Sequence, residues 1–266
     1  MSQTELAQYV NIKAHPLSDD PYRHHCKDQL ATKGVLTLPG FLHHDTLTTL
    51  VAQANQTAPL AYYAKGTHNV YLTPPDTSLD ADHVFNRQVV SSKGVVATDQ
   101  ILAESALHAI YHNAVFQSFI CDVVGQSAIY PYADSLSSIN VHYAGEGKEL
   151  GWHFDNSAFA ITLLLQAPEA GGVFEYVKDV RDADAGDYNF EGVAAVLDGK
   201  TPPASLDITP GTLVLFRGRN AMHRVTPTIG KTNRMLVVLA YNEAPDICLS
   251  ESARQTFFGR LGEVPA

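Results

Sequence analysis

The chain has 266 residues, 45% hydrophobic and 17% charged, enough apolar content to bury a sizeable core and too much for a disordered segment. Its 18 basic residues against 28 acidic ones give a formal charge of −10 with no basic cluster, which argues against nucleic-acid binding and against an anionic membrane surface as partner. No apolar run approaches the roughly 18 residues of a spanning helix, and the opening MSQTELAQYVNIKAHPLSDD lacks a basic region followed by an apolar one, so a cytoplasmic protein is expected.

In chain order, the histidine pairs at 24–25 and 43–44 read as solvated loop or cap positions. DTLTTLVAQANQ, from Asp45, offers an N-cap and apolar residues at Leu47, Leu50, Val51 and Ala54, which is helical spacing. YLTPPDTSLDADHVFNRQVVSSKG, rich in Pro, Asp and Ser, reads as a long loop or lid. The stretch from Asp99 to Val124 predicts two helices with a break near His112 and a stop at Gly125.

Beyond residue 128 the pattern changes to short segments rich in β-branched and aromatic residues: SSINVHYA, FAITLLLQ, GGVFEYV, TLVLFRG and MLVVLAYN. Turn chemistry separates them, including an acidic insertion from Lys178 to Ser205. Strands spaced this way without helical patterns between them predict antiparallel pairing. The expected fold is mainly β with flanking helices (α+β), a barrel or a double-sheet jelly roll with the N-terminal helices packed outside. A single domain is expected over 1–266, with a helix-rich part over about 1–127, a jelly-roll core over about 128–245 and a C-terminal segment at 246–266. Oligomeric state is not legible; a homodimer is one option.

The three cysteines, Cys26, Cys121 and Cys248, are odd in number and contain no C-x-x-C pair, so neither a disulfide framework nor a thiolate zinc site follows. Histidine is the more informative scarce chemistry. In GWHFDNS, His153 and Asp155 stand at i and i+2, a spacing that puts both on one face of an extended strand, with Phe154 on the other. Alone, H-x-D is a weak signal, commonly a surface histidine beside an acid. His223 in MHRVTP lies 70 residues further on, beyond the strand TLVLFRG. Two histidines and a carboxylate on one face leave coordination positions open, which suits non-haem Fe(II) and O2. The helical H-E-x-x-H of many zinc hydrolases is absent. Arg234 follows His223 by eleven residues and opens a strand, where a bidentate guanidinium suits the distal carboxylate of a co-substrate such as 2-oxoglutarate. Arg224 is its main rival, and Thr232 could add a hydroxyl to the same carboxylate.

With these residues in place the sequence resembles the Fe(II)/2-oxoglutarate-dependent oxygenase superfamily over roughly Ser137 to Asn242, which implies a cupin-like double-stranded β-helix (jelly roll). SSKGVVATDQI, WHFDNS, GGVFEY and NEAPDICLSE are further similar to the group of hydroxylases and radical halogenases that act on free amino acids. The resemblance implies His153, Asp155 and His223 as iron ligands, with Fe(II), 2-oxoglutarate and O2 as cofactor and co-substrates. It implies a small-molecule substrate oxidised at an unactivated C–H bond. Halogenases of this group carry a small residue in place of the metal carboxylate to admit chloride; Asp155 occupies that position, which implies hydroxylation.

Substrate-contact candidates are Arg87 in the polar loop, His142 beside Asn140 on one side of SSINVHYA, and Glu175 in GGVFEYV. Asn140 could serve co-substrate or substrate. His142 reads equally as a core histidine and Glu175 as a solvated strand charge. Asp182, Asp184 and Asp187 lack the ligand pattern of an EF-hand and read as a solvated run. Three other readings stay open: a peptidyl or protein hydroxylase, a zinc cupin hydrolase or isomerase, and a non-catalytic ligand-binding jelly roll.

Overall fold

The computed structural model describes residues 3–264. A short α1 (Gln3–Leu6) precedes α2 (Asp20–Lys33), whose first turn is closed by the Asp19 carboxylate accepting from the Tyr22 amide and whose last turn ends at Gly34 with φ 73°. Thus His24 and His25, expected in loop or cap positions, sit on an exposed helix face. After β1 (Val35–Leu38) comes α3 (His44–Thr57), the helix expected from Asp45.

The segment expected as a lid is partly sheet. β2 (Tyr62–His68) and β3 (Val89–Val96) pair antiparallel over their full length, and only residues 69–88 between them are irregular. The next helical stretch is broken as expected, into α4 (Ala106–Tyr111) and α5 (Ala114–Val124). Ser105 and Asn113 cap the two helices, and Gly125 ends the second with φ 83°.

The β region follows with β4 (Ile139–Ala144), β5 (Leu150–His153), β6 (Ala160–Gln166), β7 (Ala170–Gly171) and β8 (Phe174–Val177). The acidic insertion, expected to be loop, contains α6 (Phe190–Leu197) and runs into β9 (Ala204–Leu206). Last come β10 (Leu213–Phe216), β11 (Met222–Val225), β12 (Thr228–Ile229), β13 (Arg234–Leu239) and α7 (Glu251–Phe258).

Eleven strands form one sheet in the order β1-β10-β6-β13-β4-β3-β5-β11-β8-β9, with β2 added beside β3, and every pair is antiparallel. Alternation sorts its two faces. On β4 and β13, Ile139, Val141, Tyr143, Met235, Val237 and Leu239 join Ile161 and Leu163 of β6 to pack under α2, α3, α4 and α5 in the main core. Tyr143 is fully buried there and its hydroxyl donates to the Ala54 carbonyl of α3 at 2.7 Å. The intervening residues Asn140, His142, Arg234, Leu236 and Val238 share the opposite, inner face. A second cluster, including Tyr71, Trp152, Phe154, Val193 and Met222, anchors the irregular segment and α6 against the far side of β5 and β11.

Candidate active site

β5 and β11 lie side by side with His153 directly opposite His223, which brings two residues 70 positions apart to a ring separation of 4.1 Å. Asp155 follows two residues past His153. Its backbone amide donates to the Gly218 carbonyl, and Phe154 between them is buried against Tyr71, with the Arg181 guanidinium 4.1 Å from its ring centre. Each imidazole is oriented by its own strand: Nδ1 of His153 bonds the Gly151 carbonyl at 2.9 Å and Nδ1 of His223 the Ala221 carbonyl at 3.0 Å. With Nδ1 as the donor, the Nε2 lone pairs are left facing Asp155, whose Oδ1 is 3.7 Å from one and 3.5 Å from the other. One ligand atom from each residue lies within 4.8 Å of the others.

The electrostatics favour a cation at this point. Burial, followed by the neighbouring His223, pushes the His153 imidazole down to about 3, so it is neutral and able to ligate. Burial acts to raise the Asp155 carboxyl, but His223, His153 and Lys93 outweigh it and hold the group below its usual range. The Asp155 Oδ2 atom is buried without any hydrogen-bond partner, an arrangement that a bound divalent ion resolves. Gly218 packs against the same carboxylate so closely that a Cβ there would stand 1.8 Å from Oδ2.

Arg234 enters the inner face at the start of β13, 7% exposed, and no hydrogen bond or ion pair to it is found among the described residues. Burial lowers its guanidinium to about 10, which leaves it charged. A buried, unpaired guanidinium is costly unless an anion meets it. Its rival Arg224 faces away: strand register pairs Arg224 with Glu175 and His223 with Tyr176, so these two pairs occupy opposite faces.

Several expectations need correction. Glu175 accepts from Arg224 Nε at 2.7 Å on the outer face beside Trp152, and so it reaches neither a substrate nor a metal-ligating imidazole. Thr232 lies in the turn before β13, its hydroxyl donating to Glu169 at 3.2 Å rather than accompanying Arg234. Arg87 donates to Asp198 at 2.7 Å and ties the irregular segment to the end of α6. Asn140 and His142 do face inward; Asn140 spends its amide N–H groups on the Leu136 and Ile139 carbonyls. In the acidic insertion, Asp182 caps the amides of Asp184 and Ala185, and Asp184 pairs with Arg219.

Lys93 of β3 is not among the residues the sequence singles out, because its segment has the composition of a loop. Its Nζ donates to Nδ1 of His142 at 3.3 Å and lies 5.9 Å from the Phe257 ring centre, and no carboxylate stands within ion-pair distance among the described residues. Burial lowers its ammonium to about 8. The β-branched run VVSSKGVV was the signal for this strand. His68 of β2 is likewise not among the residues the sequence singles out; it bonds Ser91 and presents its ring edge-on to His153, 6.2 Å between centres.

A jelly roll that holds two histidines and a carboxylate on one face, with a buried arginine on the inner face of β13, defines the non-haem iron oxygenase class. The sequence model of the Halogenase D family matches residues 18–257, and the chain belongs to that family. No curated protein is significantly similar. Solved structures share the fold. An oxidoreductase of the 2OG-Fe(II) oxygenase family from Burkholderia pseudomallei is 15% identical with a TM-score of 0.51, over 85% of this chain and 92% of that one. The α-ketoglutarate-dependent carbocyclase SnoK of nogalamycin biosynthesis is 12% identical with a TM-score of 0.57, over 82% of each chain. A Trichoplax adhaerens prolyl hydroxylase, solved with a peptide of hypoxia inducible factor, is 14% identical with a TM-score of 0.52, over 84% and 90%.

Proposed function

We propose that the chain is an Fe(II)- and 2-oxoglutarate-dependent dioxygenase that hydroxylates an unactivated C–H bond of a small molecule, a free amino acid or a related carboxylate. The observation that carries this reading is the convergence of His153, Asp155 and His223, with both Nε2 atoms within 3.7 Å of Asp155 Oδ1 and the three ligand atoms within 4.8 Å of one another. These three residues would hold Fe(II), and Arg234 would take the distal carboxylate of 2-oxoglutarate. When bound, iron and 2-oxoglutarate supply the oxidising power that activates O2. The protein's own contribution is orientation: backbone carbonyls at Gly151 and Ala221 fix both imidazoles, Gly218 makes room for the carboxylate, and Phe154 and Arg181 hold the following turn.

The family name points to halogenation, yet the carboxylate of Asp155 fills the position that a halide ligand would need. Hydroxylation is therefore the reading favoured. A small-molecule substrate is supported by the enclosure of the inner face, where α7 lies across β2 and β3. Free thiols at Cys26, Cys121 and Cys248 agree with a cytoplasmic setting. No helix among the described residues is long and apolar enough to cross a membrane.

The test is succinate release from 2-oxoglutarate with iron or O2 withheld in turn, coupled to mass spectrometry of candidate amino acids incubated in chloride. Release that needs both, with a product heavier by one oxygen atom, is expected. Activity supported by zinc without O2, or a mainly chlorinated product, overturns the assignment.

A further inference from the structure

His153 and His223 are held by different means. The His223 ring lies against Phe216 and Phe174, at 4.8 and 5.6 Å between ring centres. His153 has no such aromatic wall among the described residues; besides His223, its ring neighbour is His68 of β2, met edge-on. Its orientation rests on the bond from Nδ1 to the Gly151 carbonyl, so whatever fixes Gly151 also fixes the imidazole.

Gly151 is gripped by the hairpin of β2 and β3. A Cβ on Gly151 would stand 2.5 Å from the Val90 carbonyl oxygen, so the β3 backbone packs closer than a side chain there would permit. The Gly151 amide donates to Ser91 Oγ at 3.0 Å, and the Ser91 hydroxyl lies 2.7 Å from Nε2 of His68. Nδ1 of His68 is 2.9 Å from the Asn69 carbonyl. A carbonyl only accepts, so Nδ1 of His68 carries the proton, Nε2 accepts from Ser91, and Ser91 keeps a lone pair for Gly151. Every donor therefore points the same way, from His153 through Gly151 and Ser91 to His68 and Asn69. Both ring nitrogens of His68 are occupied, which leaves it no capacity as an acid or base toward a substrate. The amide and the carbonyl of Gly151 belong to separate peptide planes joined at Cα, so the chain transmits position rather than charge. The Val70 carbonyl, two residues past His68, accepts from the Phe154 amide at 2.8 Å and holds the other side of His153.

Resting on the oxygenase reading above, we propose that Ser91 and His68 are positioning residues of the metal centre, which act through Gly151 to aim Nε2 of His153 at the ion shared with Asp155 and His223. β3, whose composition reads as loop or lid, thereby becomes part of the frame of the centre. Without the Ser91 hydroxyl the buried Gly151 amide has to find another partner, and the carbonyl that orients His153 moves with it. Groups that orient a metal-ligating histidine are worth 10- to 100-fold in metal affinity, and a residue one bond further out is expected at the low end, about tenfold.

The experiment uses the full chain with Co(II) as a redox-inert probe, followed by calorimetric titration and by proton NMR. High-spin Co(II) moves the Nδ1 protons of ligating imidazoles far outside the ordinary range, and one such exchangeable resonance is expected from each of His153 and His223. Ser91→Ala should weaken Co(II) binding by about tenfold and displace one of these resonances while the other stays in place. His68→Leu should do the same, and the double variant should lose no more than about twofold beyond either, as for members of one chain. Ser91→Thr, which keeps the hydroxyl, should retain both the affinity and the resonances. Ser92→Ala controls for packing: Ser92 is buried in the same strand and its hydroxyl accepts from the Glu149 amide, so its loss should change neither readout. Co(II) affinity in Ser91→Ala within about twofold of the unaltered protein, displacement of neither or of both resonances, or an equal loss in Ser92→Ala overturns the proposal. Failure of the oxygenase reading is separately visible, because the unaltered protein then gives no charge-transfer absorption with Fe(II) and 2-oxoglutarate whatever Co(II) does.

Discussion

Gly218→Ala adds one methyl group where the Asp155 carboxylate already stands. The new Cβ would lie 1.8 Å from Oδ2 and 2.5 Å from Cγ. Carbon atoms in contact sit about 3.5 Å apart, so Cγ has to retreat by about 1 Å, several times the roughly 0.2 Å within which metal–ligand distances hold. Gly218 is not among the residues with positive φ, so alanine meets no backbone penalty there and the clash with Asp155 is the isolated effect. Losing the correct placement of one ligand while both histidines stay in position is expected to weaken Fe(II) binding by about 10- to 100-fold. Anaerobic calorimetric titration with Fe(II) measures this, with circular dichroism confirming that the fold is retained. A folded Gly218→Ala protein that binds Fe(II) as tightly as the unaltered one would refute the placement of Asp155 in the metal centre.

Other perturbations test other parts of the site. Arg234→Met should raise the apparent 2-oxoglutarate constant by about 10- to 100-fold through loss of a charge-assisted pair, whereas Arg224→Met, on the outer face with Glu175, should leave it unchanged; succinate release against 2-oxoglutarate concentration separates the two. Tyr143→Phe, which removes the hydroxyl bonded to the Ala54 carbonyl under α3, should cost about 1 kcal/mol in urea denaturation without altering Fe(II) affinity.

The metal centre was legible in the sequence because its chemistry is compact. H-x-D places His153 and Asp155 within a turn of each other, and a second histidine just after a strand is the partner that a sheet returns. The inward placement of Arg234 was legible for a related reason, since a strand start aims a side chain predictably, and register sets it on the inner face while Arg224 lies on the outer. The lining of the site was not legible to the same degree. Glu175 and Tyr176 divide between two faces, and the sequence alone does not say which faces inward; pairing with β11 decides it. Lys93 and His68 were hidden because Ser, Gly and Lys in YYAKGTH and VVSSKGVV resemble loop composition. Pairing of β2 with β3 over seven residues stabilises strands whose local propensity is mixed. Arg87 is expected in the site because it lies in the polar loop region that the resembled group uses for a substrate carboxylate, and its capture by Asp198 depends on α6, a helix inside an insertion that reads as turn chemistry.

The most direct measurement is an anaerobic optical titration of the purified protein with Fe(II) and 2-oxoglutarate, carried out on the unaltered chain and on His153→Ala and His223→Ala. The expected result is a visible charge-transfer band that requires both additions and disappears in each variant. A band that never forms in the unaltered chain, or one that persists in both variants, would contradict a ferrous centre at His153, Asp155 and His223.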